Sequence, residues 1–418
     1  ARPAARPRPA AEPVAEPAPR DETAGPGRST SSARPPPPQP PQAQAVEPDD
    51  DQPPLRDGVL ITDGERILEL TTYRQARKLS SLAIHDLGPS VMVPGLINAH
   101  THLELSHLKG RTVAGRGFTE WVKSLIELPL REIDHHTLEA VREGFTRSGT
   151  VGVGDISGHS PRTMLAFLSA SGLFFRLYIE QIGFGQAPGK AVPGFKGLQP
   201  ERHPEVSPYG HALYSTHPQT LQLSKAWCRE KNRTFVLHLA EHVGESELLA
   251  TGRGEFAELL QTGLLPESFV PPGLSPVAYA DALGLLDRDT LAVHLVQVSP
   301  ADIGVLKARG VTACLCPRSN AYINVGRAPA EQFLDAGLPI CLATDSLASN
   351  ADLDLWSEAA FFVQHLTRGI SLQDLVAMLT VTPARALGLE GQIGTLEPGK
   401  AAGFSLVPDG LRRLLPLQ

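Results

Sequence analysis

From about residue 91 to residue 390, short apolar runs alternate with stretches whose apolar residues recur every three or four positions. The first kind reads as a buried strand, the second as a helix packed on one face. Strands are predicted over 91–93, 151–156, 174–179, 234–237, 291–293, 311–315 and 340–344, with one more ending near His211. Helices are predicted over 137–148, 161–171, 221–230 and 330–336. Ser299-Pro300 supplies an N-cap and a proline at the first helical position, opening a helix that runs to Arg309. Ser371-Leu372-Gln373-Asp374 reads as a capping box for a last helical stretch that carries 384–387. Strands that alternate with helices pair in parallel, since each return needs a crossover. The count is consistent with eight units, an α/β fold of the (β/α)8 TIM-barrel type.

The pattern changes at both ends. Residues 55–93 hold a strand, a tight turn at Asp63-Gly64 and a returning strand, and 391–418 hold a similar stretch. Together they predict a small β-sandwich domain built from both termini, flanking a barrel over 94–390. Residues 1–54 are rich in Pro, Ala and Arg, with prolines unbroken from Pro35 to Pro38. Such a segment buries too little apolar surface to offset the entropy of ordering it, so a disordered tail is expected.

The 418 residues suffice for a barrel plus a smaller unit, and the formal net charge of -7 gives no basic surface for nucleic acid or an anionic membrane. Cys228, Cys314, Cys316 and Cys341 show no disulfide framework; the Cys314-x-Cys316 pair lies in an apolar run and reads as buried strand rather than a zinc site. No apolar stretch reaches membrane-spanning length, and a cytoplasmic protein is the default expectation. The expected partner is a small-molecule substrate, and a homo-oligomer is left open.

Chemistry enters at Pro94-Gly95-Leu96-Ile97-Asn98-Ala99-His100-Thr101-His102-Leu103-Glu104. Residues two apart at a strand end point the same way, so His100 and His102 can hold one metal ion. Three other strands end in groups of the same kind, at His238, His294 and Asp345. In a (β/α)8 barrel the functional groups sit at the C-terminal ends of the strands. His100, His102, His238 and Asp345 make a set of three nitrogens and one carboxylate. It suits one divalent ion, zinc or else ferrous iron, with a position left for a water whose pKa falls toward 7. Glu241, three residues after His238, falls at the mouth of such a site, where a carboxyl can pass a proton from water to substrate. His242 is expected to point away. The Gly- and Glu-rich segment after His238 reads as a lid or insertion, or as a plain exposed loop.

With these motifs go His211-Ala212-Leu213-Tyr214, Ala292-Val293-His294, Cys316-Pro317-Arg318-Ser319-Asn320 and 342–350. Over residues 55–407 the sequence resembles the amidohydrolase superfamily, in its branch of mononuclear-metal aminohydrolases. That branch holds adenosine-type, methylthioadenosine/S-adenosylhomocysteine, guanine and aminodeoxyfutalosine deaminases, and triazine hydrolases. The resemblance implies metal ligands at His100, His102, His238 and Asp345, and Glu241 as proton shuttle. It also implies that His294 orients the attacking water, that Asp345 accepts its proton, and that His211 faces the substrate. Two departures stand out: Leu213 replaces a usual proline, and Gly403 stands where an aspartate is common. No lysine occurs in the His211 strand, which argues against a binuclear site bridged by a carboxylated lysine.

The run from His102 to Leu108 is most similar to deaminases of 6-aminodeoxyfutalosine and of adenosine-like nucleosides. The expected activity is metal-dependent hydrolytic deamination of a 6-aminopurine nucleoside with release of ammonia, 6-aminodeoxyfutalosine first and adenosine or S-adenosylhomocysteine next. Guanine deamination and triazine or chloro-type hydrolysis are the alternatives. An inactive metal-binding interaction protein is the alternative of another class. Glu104, Trp121, Arg318 and Asn320 are the further substrate-binding candidates. Trp121 equally suits an amphipathic surface helix, and Arg318 and Asn320 equally suit holding a loop.

Overall fold

The computed structural model describes residues 44–45, 54–79, 83–184 and 194–415. Eight parallel strands carry the fold: β1 Leu96–Thr101, β2 Thr150–Ser157, β3 Phe174–Glu180, β4 Val206–Tyr209, β5 Phe235–Leu239, β6 Thr290–His294, β7 Thr312–Leu315 and β8 Ile340–Leu342. They pair in sequence order as two four-stranded halves, β1 to β4 and β5 to β8.

Backbone hydrogen bonds join the halves at both seams. Between β4 and β5, His238 donates its N–H to the His211 carbonyl at 2.8 Å. Between β8 and β1, Asp345 donates to the His100 carbonyl at 3.1 Å, and the Asn98 amide holds the Thr344 hydroxyl at 2.7 Å. Each seam thus closes at predicted metal ligands.

Alternation along the strands sorts the core. Ile97, Ile156, Tyr178, Tyr209, Val236, Leu291, Cys314 and Cys341 pack together inside the barrel, one from each strand. Leu237, Leu239, Ala292, Leu315 and Leu342 face the helices of the second half. Val153, Leu177 and Val206 do the same in the first half, against Leu138, Phe145 and Met164. Such side chains each contribute about 1.5–3 kcal/mol on burial. Cys314, Cys316 and Cys341 are buried thiols, as the strand reading expects.

The caps fall where the sequence places them. The Ser299 hydroxyl accepts from Asp302 N–H and opens the helix Pro300–Arg309, and Ser371 with Asp374 forms a reciprocal box before Leu372–Leu379.

Several elements differ from expectation. The run 91–93 does not lead straight into the His-x-His pair. Val91–Pro94 is a separate strand that pairs with Phe404–Leu406 in a flanking sheet. The chain passes into β1 at Gly95, where a Cβ would lie 2.5 Å from a Val151 methyl. Residues 391–396 form turns rather than a strand, and buried Ile393 joins the barrel-interior cluster. The glycine-rich segment after His238 is not a plain loop. It folds as two helices, Val243–Thr251 and Glu255–Gln261, because Gly252 and Gly254 adopt φ of 71° and 106° and reverse the chain between them.

Gly58–Thr62 pairs with Ile67–Thr72, and an isolated bridge joins Arg66 to Ala401. Gln44–Ala45, inside the segment expected to be disordered, pairs with Leu55–Arg56 and Val91–Pro94. The rest of the expected tail, through residue 53, lies outside the described residues. No helix among the described residues is long and apolar enough to cross a membrane.

Candidate metal and acid–base site

The histidines converge through their Nε2 atoms. His100 Nε2 lies 3.2 Å from His102 Nε2 and 3.1 Å from His238 Nε2. One ring nitrogen carries one proton or one lone pair in its plane, so it cannot hydrogen-bond to both. A tetrahedral ion with bonds of about 2.0–2.1 Å sets its donors roughly 3.3 Å apart, which is close to the observed spacing. Asp345 Oδ1 completes the group, 3.8 Å from His100 and 3.7 Å from His102. Its other oxygen, Oδ2, accepts from Ser319 Oγ at 2.7 Å and Ser349 Oγ at 2.9 Å, so Oδ1 is the one left to face the histidines.

Burial, and then the neighbouring imidazoles, push His100 and His238 well below the usual histidine range. Burial alone would raise Asp345, but electrostatic attraction to the His102, His294 and His100 imidazoles and the hydrogen bond from Ser319 outweigh it and hold the carboxyl low. Neutral imidazole and ionised carboxylate are the states a metal requires. The donor set therefore fits one divalent ion. His294 also stands within reach, in a second possible group with His100 and His238.

Backbone strain concentrates at these strand ends. Among non-glycine residues, His211, Ala240, His294, Leu295 and Asp345 all adopt positive φ, between 41° and 77°. Each costs of order 1–3 kcal/mol and persists only where its surroundings enforce it. For His294 the gain is direction. Leu291 and Val293 point into the barrel and Ala292 points out, so simple alternation would send His294 outward. Its φ of 77° returns it to the site.

His294 Nδ1–H donates to Asn320 Oδ1 at 2.9 Å, which leaves Nε2 as a lone pair 3.5 Å from Glu241 Oε1. Burial first, then the charges of Asp345 and Glu245, push the Glu241 carboxyl well above the usual range, toward its acid form. Glu245 fixes the turn that delivers Glu241. Its Oε2 accepts the Glu241 N–H at 2.9 Å, and its own N–H donates to His242 Nδ1 at 3.3 Å. Burial lifts Glu245 itself to about 7. His242 is not a surface group: it is buried and stacked on Phe118, ring centroids 3.8 Å apart.

The substrate-binding candidates divide. His211 is partly exposed at the mouth, its Nδ1 held by Ser215 and its Nε2 3.6 Å from Glu180 Oε1. Trp121 lies on the helix Phe118–Ile126, with its indole N–H on the Ala348 carbonyl at 3.1 Å. Arg318 forks onto Asp352 at 2.6 and 3.0 Å, which is the loop-holding role. Asn320 turns its Oδ1 to His294 Nδ1 at 2.9 Å. Glu104 is a correction. Its carboxylate accepts from Ser157 Oγ and from the N–H groups of Gly158, His159 and Ser160, at 2.6–3.2 Å, and so anchors the turn after β2. Sequence reading missed Glu180 and Glu245. Glu180 could have been found as the acid next to the predicted strand 174–179. Glu245 could have been found as the acid one helical turn beyond Glu241.

Residues 91–412 match the amidohydrolase family, and the chain belongs to it. Among its curated relatives, the aminodeoxyfutalosine deaminase of Deinococcus radiodurans is 27% identical, over 79% of this chain and 81% of that protein. The 5-methylthioadenosine/S-adenosylhomocysteine deaminase of Moorella thermoacetica is 29% identical, over 79% of this chain and 76% of that one. The fold is shared with the zinc-bound crystal structure of an adenosine deaminase from Xanthomonas campestris, with a TM-score of 0.70, 22% identity, and coverage of 91% of this chain and 88% of that one.

Proposed function

We propose that this chain is a metal-dependent hydrolase that deaminates a 6-aminopurine nucleoside-like substrate. The carrying observation is Glu241: a buried acid, biased toward its protonated form, beside His294 and at the edge of a donor set for one ion. Deamination replaces the exocyclic amine by oxygen from water, and the amine leaves as ammonia. The ring nitrogen next to the attacked carbon must gain a proton as the water oxygen adds, and the leaving nitrogen must gain another. Glu241 is placed to give the first and relay the second. The His294 Nε2 lone pair, with its tautomer fixed by Asn320, orients the water and takes a hydrogen bond from it. Asp345, held ionised, accepts the water's remaining proton.

His100, His102, His238 and Asp345 would hold the ion. Three nitrogens and one carboxylate favour zinc over iron, in keeping with the zinc in the Xanthomonas structure. When bound, it supplies an acidified water near neutral pH.

Among substrates, 6-aminodeoxyfutalosine stands first and methylthioadenosine or S-adenosylhomocysteine next, after the relatives named for these activities. The test is ammonia release from these nucleosides and adenosine by metal-loaded protein, with metal content assayed in the same samples. Silence on all of them from fully loaded protein would sink the proposal.

A further inference from the structure

Glu180 ends β3 at the mouth of the barrel, and its side chain is 12% exposed. Among the described residues no N–H or O–H donates to its carboxylate; His211 Nε2 stands 3.6 Å from Oε1, too far for a hydrogen bond. This sets it apart from Glu104, whose oxygens are filled by the turn after β2. The same turn makes room for Glu180. A Cβ on Gly158 would stand 2.2 Å from Glu180 Oε2, so only glycine there lets the carboxylate reach its place. The local charge is partly balanced, because the Lys196 ammonium holds the Gly158 carbonyl beside it. A partly buried carboxylate with open lone pairs is costly unless a ligand supplies the donors.

We propose that Glu180 is a specificity-determining residue that accepts hydrogen bonds from a pair of neighbouring hydroxyls on the substrate's sugar. The assignment rests on the deaminase reading above. With the reacting ring carbon at the His100–His238–Asp345 group and the ring against His211, Glu180, whose Oε1 stands 3.6 Å from that imidazole, is within reach of the sugar the ring carries. Two carboxylate oxygens match two vicinal hydroxyls, each a donor. A cation is less suited, since Lys196 already faces this corner.

The experiment compares adenosine, its 2′,3′-dideoxy analogue and its 3′-amino-3′-deoxy analogue, using metal-loaded wild type, Glu180→Gln, Glu180→Ala and Gly158→Ala. A hydrogen bond to a charged group is worth about 10- to 100-fold, so wild type should prefer adenosine over the dideoxy analogue by that factor in kcat/KM, chiefly through KM. Glu180→Ala should bring the ratio to within about threefold, and Glu180→Gln should fall between. Gly158→Ala, which displaces the carboxylate without removing it, should also narrow the ratio. Three results overturn the assignment. If the variants lose the same factor on adenosine and on the dideoxy analogue, Glu180 has a structural role only. If wild type prefers the amino analogue and Glu180→Gln abolishes that preference, the ligand group is a cation. If loaded wild type is silent on these three and on the nucleosides named under the proposed function, the deaminase reading fails and the sugar assignment goes with it; the first two results leave that reading standing.

Discussion

Two pairs of acids at the strand ends, one pair in each half-barrel, are used in opposite ways. In the first half, Glu104 and Asp155 are turned inward to architecture. Glu104 ties down the turn after β2, and Asp155 accepts from Leu103 N–H and Thr101 Oγ. In the second half, Glu241 and Asp345 keep an oxygen facing the centre, Glu241 toward His294 and Asp345 toward His100 and His102. The difference lies in the backbone around each acid. Beyond β2 the chain offers successive N–H groups that saturate a carboxylate. Beyond β5, β6 and β8 it turns through positive φ, so the side chain is aimed at the barrel axis and its own backbone N–H is used elsewhere. A buried acid is chemistry or scaffold according to how many donors its surroundings supply.

The contrast breaks most visibly at the ion. His100→Ala or Asp345→Ala should reduce bound metal from about one per chain to near none, whereas Glu104→Ala should retain it. Elemental analysis of dialysed protein decides this, and full retention in both ligand variants would show that neither His100 nor Asp345 holds the ion.

Glu241→Gln keeps shape and hydrogen bonds but cannot shuttle a proton. It should keep its metal and melting temperature and lose roughly 10²- to 10⁴-fold in turnover. Equal turnover in the loaded variant would place the shuttle elsewhere.

Glu104→Ala should do the reverse. It strands four donors, so stability should fall by about 2–4 kcal/mol, read as a lower melting temperature, while kcat of the remaining folded protein changes little. An unchanged melting temperature with lost activity would return Glu104 to the substrate site.

A smaller effect separates positioning from chemistry. Asn320→Ala frees the His294 tautomer and should lower kcat roughly 10-fold with metal retained, and Asn320→Asp should shift the pH profile as well. A variant matching wild type in both rate and pH profile would show that His294 needs no partner.

The smallest concerns Glu358, a buried acid of the second half that belongs to architecture. It accepts from Arg318 N–H and from the Asn350 amide. Burial outweighs these bonds and raises it from 4.5 to about 7. A carboxyl with a raised folded pKa contributes stability that is complete below the unfolded value and is lost as pH rises through the folded one. Melting temperature should therefore fall between about pH 4.5 and 7 and level off above, and Glu358→Gln should flatten part of that slope. A wild-type curve flat across this window would refute the assignment.

The sequence alone determined the barrel and the caps at Ser299 and Ser371, and it singled out His100, His102, His238, Asp345 and Glu241 as the candidates for the site. These are legible because burial imposes a period of two on strands and of 3.6 on helices, and because a strand ending in a histidine or an acid is rare without a use. Tertiary structure alone decided which acids stay open. Glu104 and Glu180, like Glu241, are each a glutamate at or just past a strand end, and nothing in the chain neighbours of the first two tells which of them stays open. What separates them is supplied across space: the N–H groups after β2 that fill Glu104, the missing Cβ of Gly158 that admits Glu180, and the Glu245 carboxylate that turns Glu241. Direction was likewise undetermined. The ladder slips between Asn98 and Thr101, and φ turns positive at His294 and Asp345, so side chains leave the alternation that a sequence can follow. Such turns are strained on their own and exist only because the closed barrel holds them, a nonlocal cause that no local pattern encodes.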